Sequence, residues 1–312
     1  MGCSLGSWLG YGLGSEAQDL PAFLAMIDPG QLPVEGVANW SNGWLPAIYQ
    51  GTVIRPKEPR ILNLQPPAHL AGDIQKSFLE YVRKLNQKHL AARPAQNDLA
   101  ARIASYQLAA RMQSSAREAL DISGETKATQ EMYGIHETAT ADYGIRCLIA
   151  RRLVERGVRF VQLYSGGNEN QRSWDGHSDI QGNHSQFAGE TDRPVAGLLE
   201  DLAQRGLLDE TLVVWCGEFG RLPVAQTGKK PGRDHNPHCL TAWMAGGGIK
   251  GGHVIGTSDK DGMQPDQQPV PVANLHASFC YALGIDPEKQ VQTPLGRPMK
   301  LVDNGPELKV QD

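Results

Sequence analysis

The pattern of hydrophobic and polar positions divides the chain into three parts. Residues 1–72 carry turn-forming residues every few positions without a sustained period, which predicts an irregular region with short strands near 52–54 and 60–62. Residues 73–157 combine helical spacing with strong helix formers and predict a helical region. From residue 158 onward, short apolar runs alternate with amphipathic stretches, which predicts strands alternating with helices.

Two features of the helical region are specific enough to test. One set of apolar residues has the i, i+3, i+4, i+7 spacing of a single helix face, namely Phe78, Tyr81, Val82 and Leu85. A further helix is predicted over residues 143–156, with Gly157 ending it. Its dense arginines are expected to form a solvated helix face, and they are Arg146, Arg151, Arg152 and Arg156.

The last part, residues 158–312, contains three predicted strands, at 158–164, 211–216 and 240–245. A helix from residue 192 is predicted before the second strand, and another at 272–283. Strands that alternate with helices indicate a mainly parallel sheet covered on both faces. In such sheets, functional side chains lie on loops at the carboxyl ends of the strands.

Composition and charge restrict the class of function. The chain has 312 residues, of which 40% are hydrophobic and 21% charged, as in ordinary globular proteins. Its 30 basic and 34 acidic residues give a net charge of −4, which argues against nucleic-acid binding. No run of about 18 apolar residues predicts a membrane span. No secretory signal is recognised, so the chain as written is expected in the cytoplasm.

Three loops collect acidic, histidine and arginine side chains, and each lies near the end of a predicted strand. These loops cover residues 174–179, 217–221 and 232–238. Their carboxylates and imidazoles form a ligand set that suits a divalent ion such as zinc, manganese or calcium. The candidate ligands are Asp175, His177, Glu218, Asp234 and His235.

Each of these residues also has a structural interpretation. The aspartate and histidine of the first loop could serve as loop hydrogen-bonding groups, and Glu218 could form an ion pair with Arg221 or Arg233. The two arginines equally suit an anionic substrate oxygen, because a guanidinium fork fits phosphate or sulfate. His184 is expected either at the surface or near the same loops. No GxSxG elbow or convincing Cys–His pair is present, so no nucleophile is identified.

Several longer motifs extend over nearly the whole chain. They lie at residues 6–16, 43–52, 147–162, 174–177, 206–214, 217–221, 232–237 and 245–252. Together they resemble the family catalogued as domain of unknown function (DUF) 1501, which is sulfatase-related and placed with the alkaline-phosphatase-like superfamily. The resemblance implies a three-layer α/β/α sandwich with a mainly parallel sheet and a divalent-metal site at its carboxyl edge.

The resemblance also implies roles for individual residues. Asp175 and His177 would be metal ligands from one loop. His235, alone or together with Asp234, would supply the ligand that comes later in the sequence. Glu218 would stand where the superfamily usually has an aspartate, with Phe219 replacing the neighbouring histidine.

Members of the family normally carry a further N-terminal stretch, often with an export signal, which points to a periplasmic or exported location. That stretch holds the first strand, an early metal-binding aspartate and the region of the Ser or Thr nucleophile. This chain is therefore expected to be one incomplete alkaline-phosphatase-like domain over residues 1–312, with weak or no esterase activity.

Two functions of different classes follow from these observations. The first is a metal-dependent hydrolase of phosphate or sulfate esters that acts on an anionic small molecule or a saccharide ester. In it, Arg221 or Arg233 would neutralise the oxyanion. The alternative is a catalytically incomplete binding or scaffold protein of the same fold, because a fold alone does not fix a function. A phosphosugar mutase or isomerase is a third interpretation.

Overall fold

The computed structural model describes residues 2–62, 64–93, 97–167, 173–293 and 295–302. The chain is mixed α/β and divides into two compact units. The first unit comprises Met1–Asn168 with Arg193–Val195, and the second comprises Glu169–Asp192 with Ala196–Asp312. In the described part of the chain, no helix is both long enough and apolar enough to cross a membrane.

A small parallel sheet lies at the centre of the first unit. Its middle strand is β1 (Phe23–Met26), with β2 (Thr52–Ile54) on one side and β3 (Phe160–Leu163) on the other. All four residues of β1 are buried. The predictions of strands at 52–54 and 158–164 are confirmed, whereas residues 60–62 form no strand and β1 was not predicted.

Helices and 3₁₀ turns complete the first unit. The helices are α1 (Leu5–Leu13), α2 (Asp73–Ala91), α3 (Asn97–Leu120), α4 (Lys127–Met132) and α5 (Ala141–Glu155), and the 3₁₀ turns are Gly36–Trp40, Ala47–Tyr49 and Ala68–Leu70. The prediction of a helical region over 73–157 is confirmed. The prediction that residues 1–72 are irregular is wrong for α1, which packs so closely on the sheet that a Cβ at Gly6 would lie 2.5 Å from the Phe160 ring.

The apolar residues with helical spacing lie in α2 as predicted, but the helix face that they form is exposed. Phe78 is 55% exposed and Tyr81 is 62% exposed, and Leu85 is exposed as well. No residue of α2 is buried. Periodicity therefore identified the helix correctly, although it does not report what packs against the helix.

The expectation that the arginines of α5 form a solvated face is wrong for two of them. Arg151 is only 1% exposed, and its guanidinium lies 2.7 Å from a carboxylate oxygen of Glu125 and 2.8 Å from one of Glu155. Arg152 also pairs with Glu125. A charged side chain tolerates such burial only when ionic and hydrogen-bonding partners surround it.

Arg146 is the second buried arginine of α5, at 2% exposed. Its Nη1 donates hydrogen bonds to the carbonyls of Ile27 and Tyr164, which directly follow β1 and β3. Its Nη2 lies 3.5 Å from Asp28 and 3.0 Å from Asp142. Arg146 therefore joins the carboxyl ends of two strands to the helix behind them.

The second unit contains antiparallel strand pairs and two helices. The pairs are β4 (Leu212–Trp215) with β7 (Trp243–Gly246), β5 (Gly220–Ala225) with β6 (Arg233–Asn236), β8 (Thr257–Ser258) with β9 (Pro265–Gln267), and β10 (Gln290–Gln292) with β11 (Pro298–Lys300). The helices are α6 (Ile180–Gln204) and α7 (Val272–Ala282), with a 3₁₀ turn at Leu208–Glu210.

Two expectations for this half need correction. The predicted strands 211–216 and 240–245 form β4 and β7, but they pair antiparallel. Parallel neighbours need a crossover, usually helical, and the segment between these strands folds instead into the β5–β6 hairpin. The helix expected to start at Asp192 begins at Ile180, where the Asp179 side chain accepts a hydrogen bond from the Gly182 N–H. Pro194 therefore lies inside the helix.

We expect Arg151→Ala to lower the free energy of unfolding of the first unit by about 3 kcal/mol, because it removes one of the two arginines that pair with the nearly buried carboxylate of Glu125. Urea titration followed by circular dichroism measures this change. The control is Arg83→Ala on α2, which removes an ion pair to Glu80 that is half exposed, and should change stability little. Equal effects of the two substitutions would contradict a structural role for the buried arginine.

A candidate metal centre

The β5–β6 hairpin and the loop before α6 meet through their backbones. The Arg233 N–H donates to the Gly176 carbonyl at 3.1 Å, and Ser178 forms a β-bridge with Pro231. Within the hairpin, Arg221 lies opposite His235, so their side chains share one face. The two backbone contacts with the loop before α6 join the first predicted loop, residues 174–179, to the third, residues 232–238. The second loop, residues 217–221, takes no part in them.

Gly232 permits this junction because it has no side chain. A Cβ at this position would lie 2.0 Å from the carbonyl carbon of His177 and 2.1 Å from its oxygen. Both are backbone atoms, which cannot rotate away as the end of a flexible side chain can. The close approach of two backbones thus requires glycine here, and it brings the first histidine towards the second.

Three side chains meet at the junction. Ligand atoms of Asp175, His177 and His235 all lie within 4.8 Å of one another, and we call these residues the Asp-His-His cluster. Asp175 Oδ1 is 3.0 Å from His177 Nε2 and 2.8 Å from His235 Nε2. All three side chains are partly exposed. Two imidazole nitrogens and one carboxylate oxygen fit zinc and related divalent ions.

Arg221 also converges on the same carboxylate. Its Nη2 donates to Asp175 Oδ1 at 2.8 Å and to the Trp174 carbonyl at 3.0 Å, while its Nη1 donates to the Arg233 carbonyl at 3.2 Å. Burial acts to raise the pKa of Asp175, but the hydrogen bonds from His235 and Arg221 and the nearby positive charge outweigh it and lower the pKa. Asp175 is therefore ionised at neutral pH, as a cation ligand must be.

The second nitrogen of His177 has its own partners. His177 Nδ1 lies 3.3 Å from Gln226 Oε1 and 3.9 Å from Asp234 Oδ1. When Nδ1 carries the proton and donates it to Gln226, the Nε2 lone pair faces the cluster. Outer hydrogen bonds of this kind fix the tautomer of metal-binding histidines. Gln226 carries no motif that sequence reasoning could have recognised.

The other residues predicted for the site differ in how close they lie to the Asp-His-His cluster. Asp234 lies beside His177, with its Oδ1 also accepting the His235 N–H at 2.8 Å. Glu218 is exposed and does not belong to the cluster. Arg233 directs its Nη1 to the Leu222 carbonyl at 2.9 Å, along the hairpin.

Two aromatic contacts support the site from its sides. The Phe219 ring lies 4.2 Å from the His235 ring, so this residue packs against one histidine of the cluster. His184 packs edge-on against Trp174 with ring centroids 5.5 Å apart, which places it near the first loop. Burial, together with the charge of Arg221, lowers the pKa of His184.

Comparison with known proteins gives one match. The sequence model of a family described as a protein of unknown function (DUF1501) matches residues 2–311. No curated protein and no solved structure matches the chain.

We expect Gly232→Ala to weaken divalent-metal binding by about tenfold or more, because the added Cβ pushes the hairpin away from His177. Competition with a chromophoric chelator measures the affinity. The matched control is Gly228→Ala in the same hairpin, where a Cβ would meet its nearest neighbour, the Lys230 carbonyl, at an ordinary 3.7 Å. If both variants bind metal alike, the backbone contact does not position the ligands.

Proposed function

The chain belongs to the DUF1501 family, and from this membership and the Asp-His-His cluster we propose that it is a metal-dependent hydrolase of phosphate or sulfate esters. The observation that carries the proposal is the convergence of Asp175, His177 and His235 within 4.8 Å. Two imidazoles favour zinc over calcium, which prefers oxygen ligands.

We also propose that the chain is related to the sulfatases and belongs to the alkaline-phosphatase-like superfamily. The parallel sheet of the first unit and the ligand-bearing loops of the second support that placement. Export from the cytoplasm, which the same relationship suggests, is likewise a proposal.

The chain's own residues would hold and orient the ion. Asp175, His177 and His235 supply three ligand atoms. When bound, a divalent ion supplies a Lewis acid for a phosphoryl or sulfuryl oxygen. Hydrogen bonds fix the ligands beforehand, because Arg221 holds the carboxylate and Gln226 holds the imidazole of His177. Preorganisation of this kind favours electrostatic catalysis.

The two arginines differ in how readily they could meet an ester's anionic oxygens. Arg221 is engaged by Asp175 and by two backbone carbonyls, so we assign it a positioning role. Arg233 would have to leave the Leu222 carbonyl before its guanidinium could bind a substrate oxygen. Of the two arginines, we therefore propose Arg233 as the one that neutralises the oxyanion.

The alternative function is a binding or scaffold protein of the same fold. The exposed aromatic and aliphatic face of α2 favours it, since Phe78, Tyr81 and Leu85 offer apolar surface to a partner. On this alternative, the cluster would bind metal for structural reasons and no ester would be turned over.

We expect the purified chain to bind about one divalent ion, and His177→Ala or His235→Ala to lower its affinity about 100-fold or more, because each removes a ligand. Elemental analysis and chelator competition measure both quantities. Glu218→Gln should leave the affinity unchanged, because Glu218 lies outside the cluster. The control is His253→Ala, which removes an exposed histidine of the same unit. Absence of bound metal in the folded protein would refute the proposal.

Turnover separates the hydrolase from the scaffold alternative. We expect slow hydrolysis of 4-nitrophenyl phosphate or 4-nitrophenyl sulfate that rises and falls with the metal content of the variants. His253→Ala should retain the rate and His235→Ala should lose it. Tight metal binding without any turnover of either ester would favour the scaffold.

A further inference from the structure

Three of the six tryptophans of the chain form a row in the second unit, which we call the tryptophan row. Trp215 of β4 lies directly opposite Trp243 of β7. Their rings are nearly parallel, at 3°, with centroids 6.5 Å apart. Trp174 stands edge-on to Trp215 at 6.4 Å, so the row continues from the strand pair to the loop before α6.

The row ends at the Asp-His-His cluster. Trp174 directly precedes Asp175, and its carbonyl accepts a hydrogen bond from Arg221, which also holds the Asp175 carboxylate. The Trp174 ring is fixed from α6 by contacts with His184 and with the buried ring of Phe187 at 5.7 Å. The aromatic row and the charged cluster therefore keep a fixed position relative to each other.

Part of this aromatic surface remains open to solvent. Trp215 is 37% exposed, and Trp174 and Trp243 are only partly buried. Exposed tryptophan forgoes much of the stabilisation that burial of its ring would give. Sites for small molecules combine aromatic side chains with a few fixed polar groups, and aromatic rings adjoin fixed polar groups here.

We propose that the tryptophan row binds the sugar rings of a di- or oligosaccharide whose phosphate or sulfate ester group lies at the Asp-His-His cluster. The position of the ester group rests on the proposed function, whereas the binding of the sugar rings does not. Sugar rings present an apolar C–H face that packs on indole, and their hydroxyl groups remain free for solvent and for polar neighbours such as His184.

The length of the row favours a saccharide over a single flat group. Its two successive ring-to-ring steps are 6.5 and 6.4 Å, so it offers contact to more than one ring of a ligand. A lone aryl ester or a nucleobase would cover one ring of the row and leave the other two uncovered by the ligand.

The test measures saccharide binding by the full chain, with and without added zinc. The probes are N,N′-diacetylchitobiose, lactose and N-acetylglucosamine 6-sulfate at millimolar concentration, with AMP and 4-nitrophenyl sulfate as competing chemistries. Saturation-transfer NMR detects binding, and titration of tryptophan fluorescence gives the dissociation constants.

We expect at least one saccharide to bind, and Trp215→Ala and Trp243→Ala to raise its dissociation constant about tenfold, as for aromatic residues central to a binding site. Trp215→Phe should retain most of the affinity, which separates loss of the ring from loss of the fold. The control is Tyr106→Ala, which removes a 68% exposed aromatic ring from α3 in the first unit and should have no effect.

The outcomes distinguish this inference from the proposed function. Tryptophan-dependent saccharide binding without any metal binding would support saccharide binding by the tryptophan row and overturn the hydrolase proposal. Metal binding without saccharide binding would overturn saccharide binding by the row and leave the hydrolase proposal unaffected. Binding of AMP or 4-nitrophenyl sulfate that depends on Trp215, in the absence of saccharide binding, would also overturn the inference.

Discussion

The backbone contact between Gly232 and His177 is the constraint on which the candidate site depends. It allows the β5–β6 hairpin to lie against the loop before α6, so that His235 reaches Asp175 from a distant part of the sequence. The aromatic supports of the site are arranged around this contact. Phe219 packs on the histidine of the hairpin, and Trp174 extends the first loop towards β4. A single position without a side chain thus allows the two histidines and the aspartate of the cluster to meet.

The protein uses charge in two different ways. In the first unit, Arg151 and Arg146 are almost completely buried and satisfy carboxylates and strand-end carbonyls, so their charge serves the architecture. In the second unit, Asp175 is partly exposed and receives Arg221 together with two imidazoles. A carboxylate that is accessible and already ionised can exchange its imidazole contacts for a cation, whereas the buried pairs have no such freedom.

The sequence predicted the parts of the molecule that local pattern determines. Helical spacing identified the helical region, and the loop motifs identified the three residues of the cluster, because ligand types near strand ends are visible in one dimension. Strand β1 escaped notice because its four residues include Ala25 and Met26, which favour strands weakly. Antiparallel pairing of β4 with β7 and burial of Arg151 depend on distant partners, so periodicity could not report them. The exposure of Glu218 likewise depends on how distant segments pack, so the local sequence pattern could not report it.

The order of strands in the parallel sheet has a consequence for how the chain is made. Phe23 pairs with Phe160, and the carbonyl after β1 is held by Arg146. The central strand therefore leaves the ribosome long before its second neighbour exists, because α2, α3, α4 and α5 are all made between them. Closing so long a loop carries an entropic cost that local helices do not share. During synthesis, the apolar side chains of β1 are thus exposed until α5 and β3 have been made, and we expect chaperones to bind them in that interval.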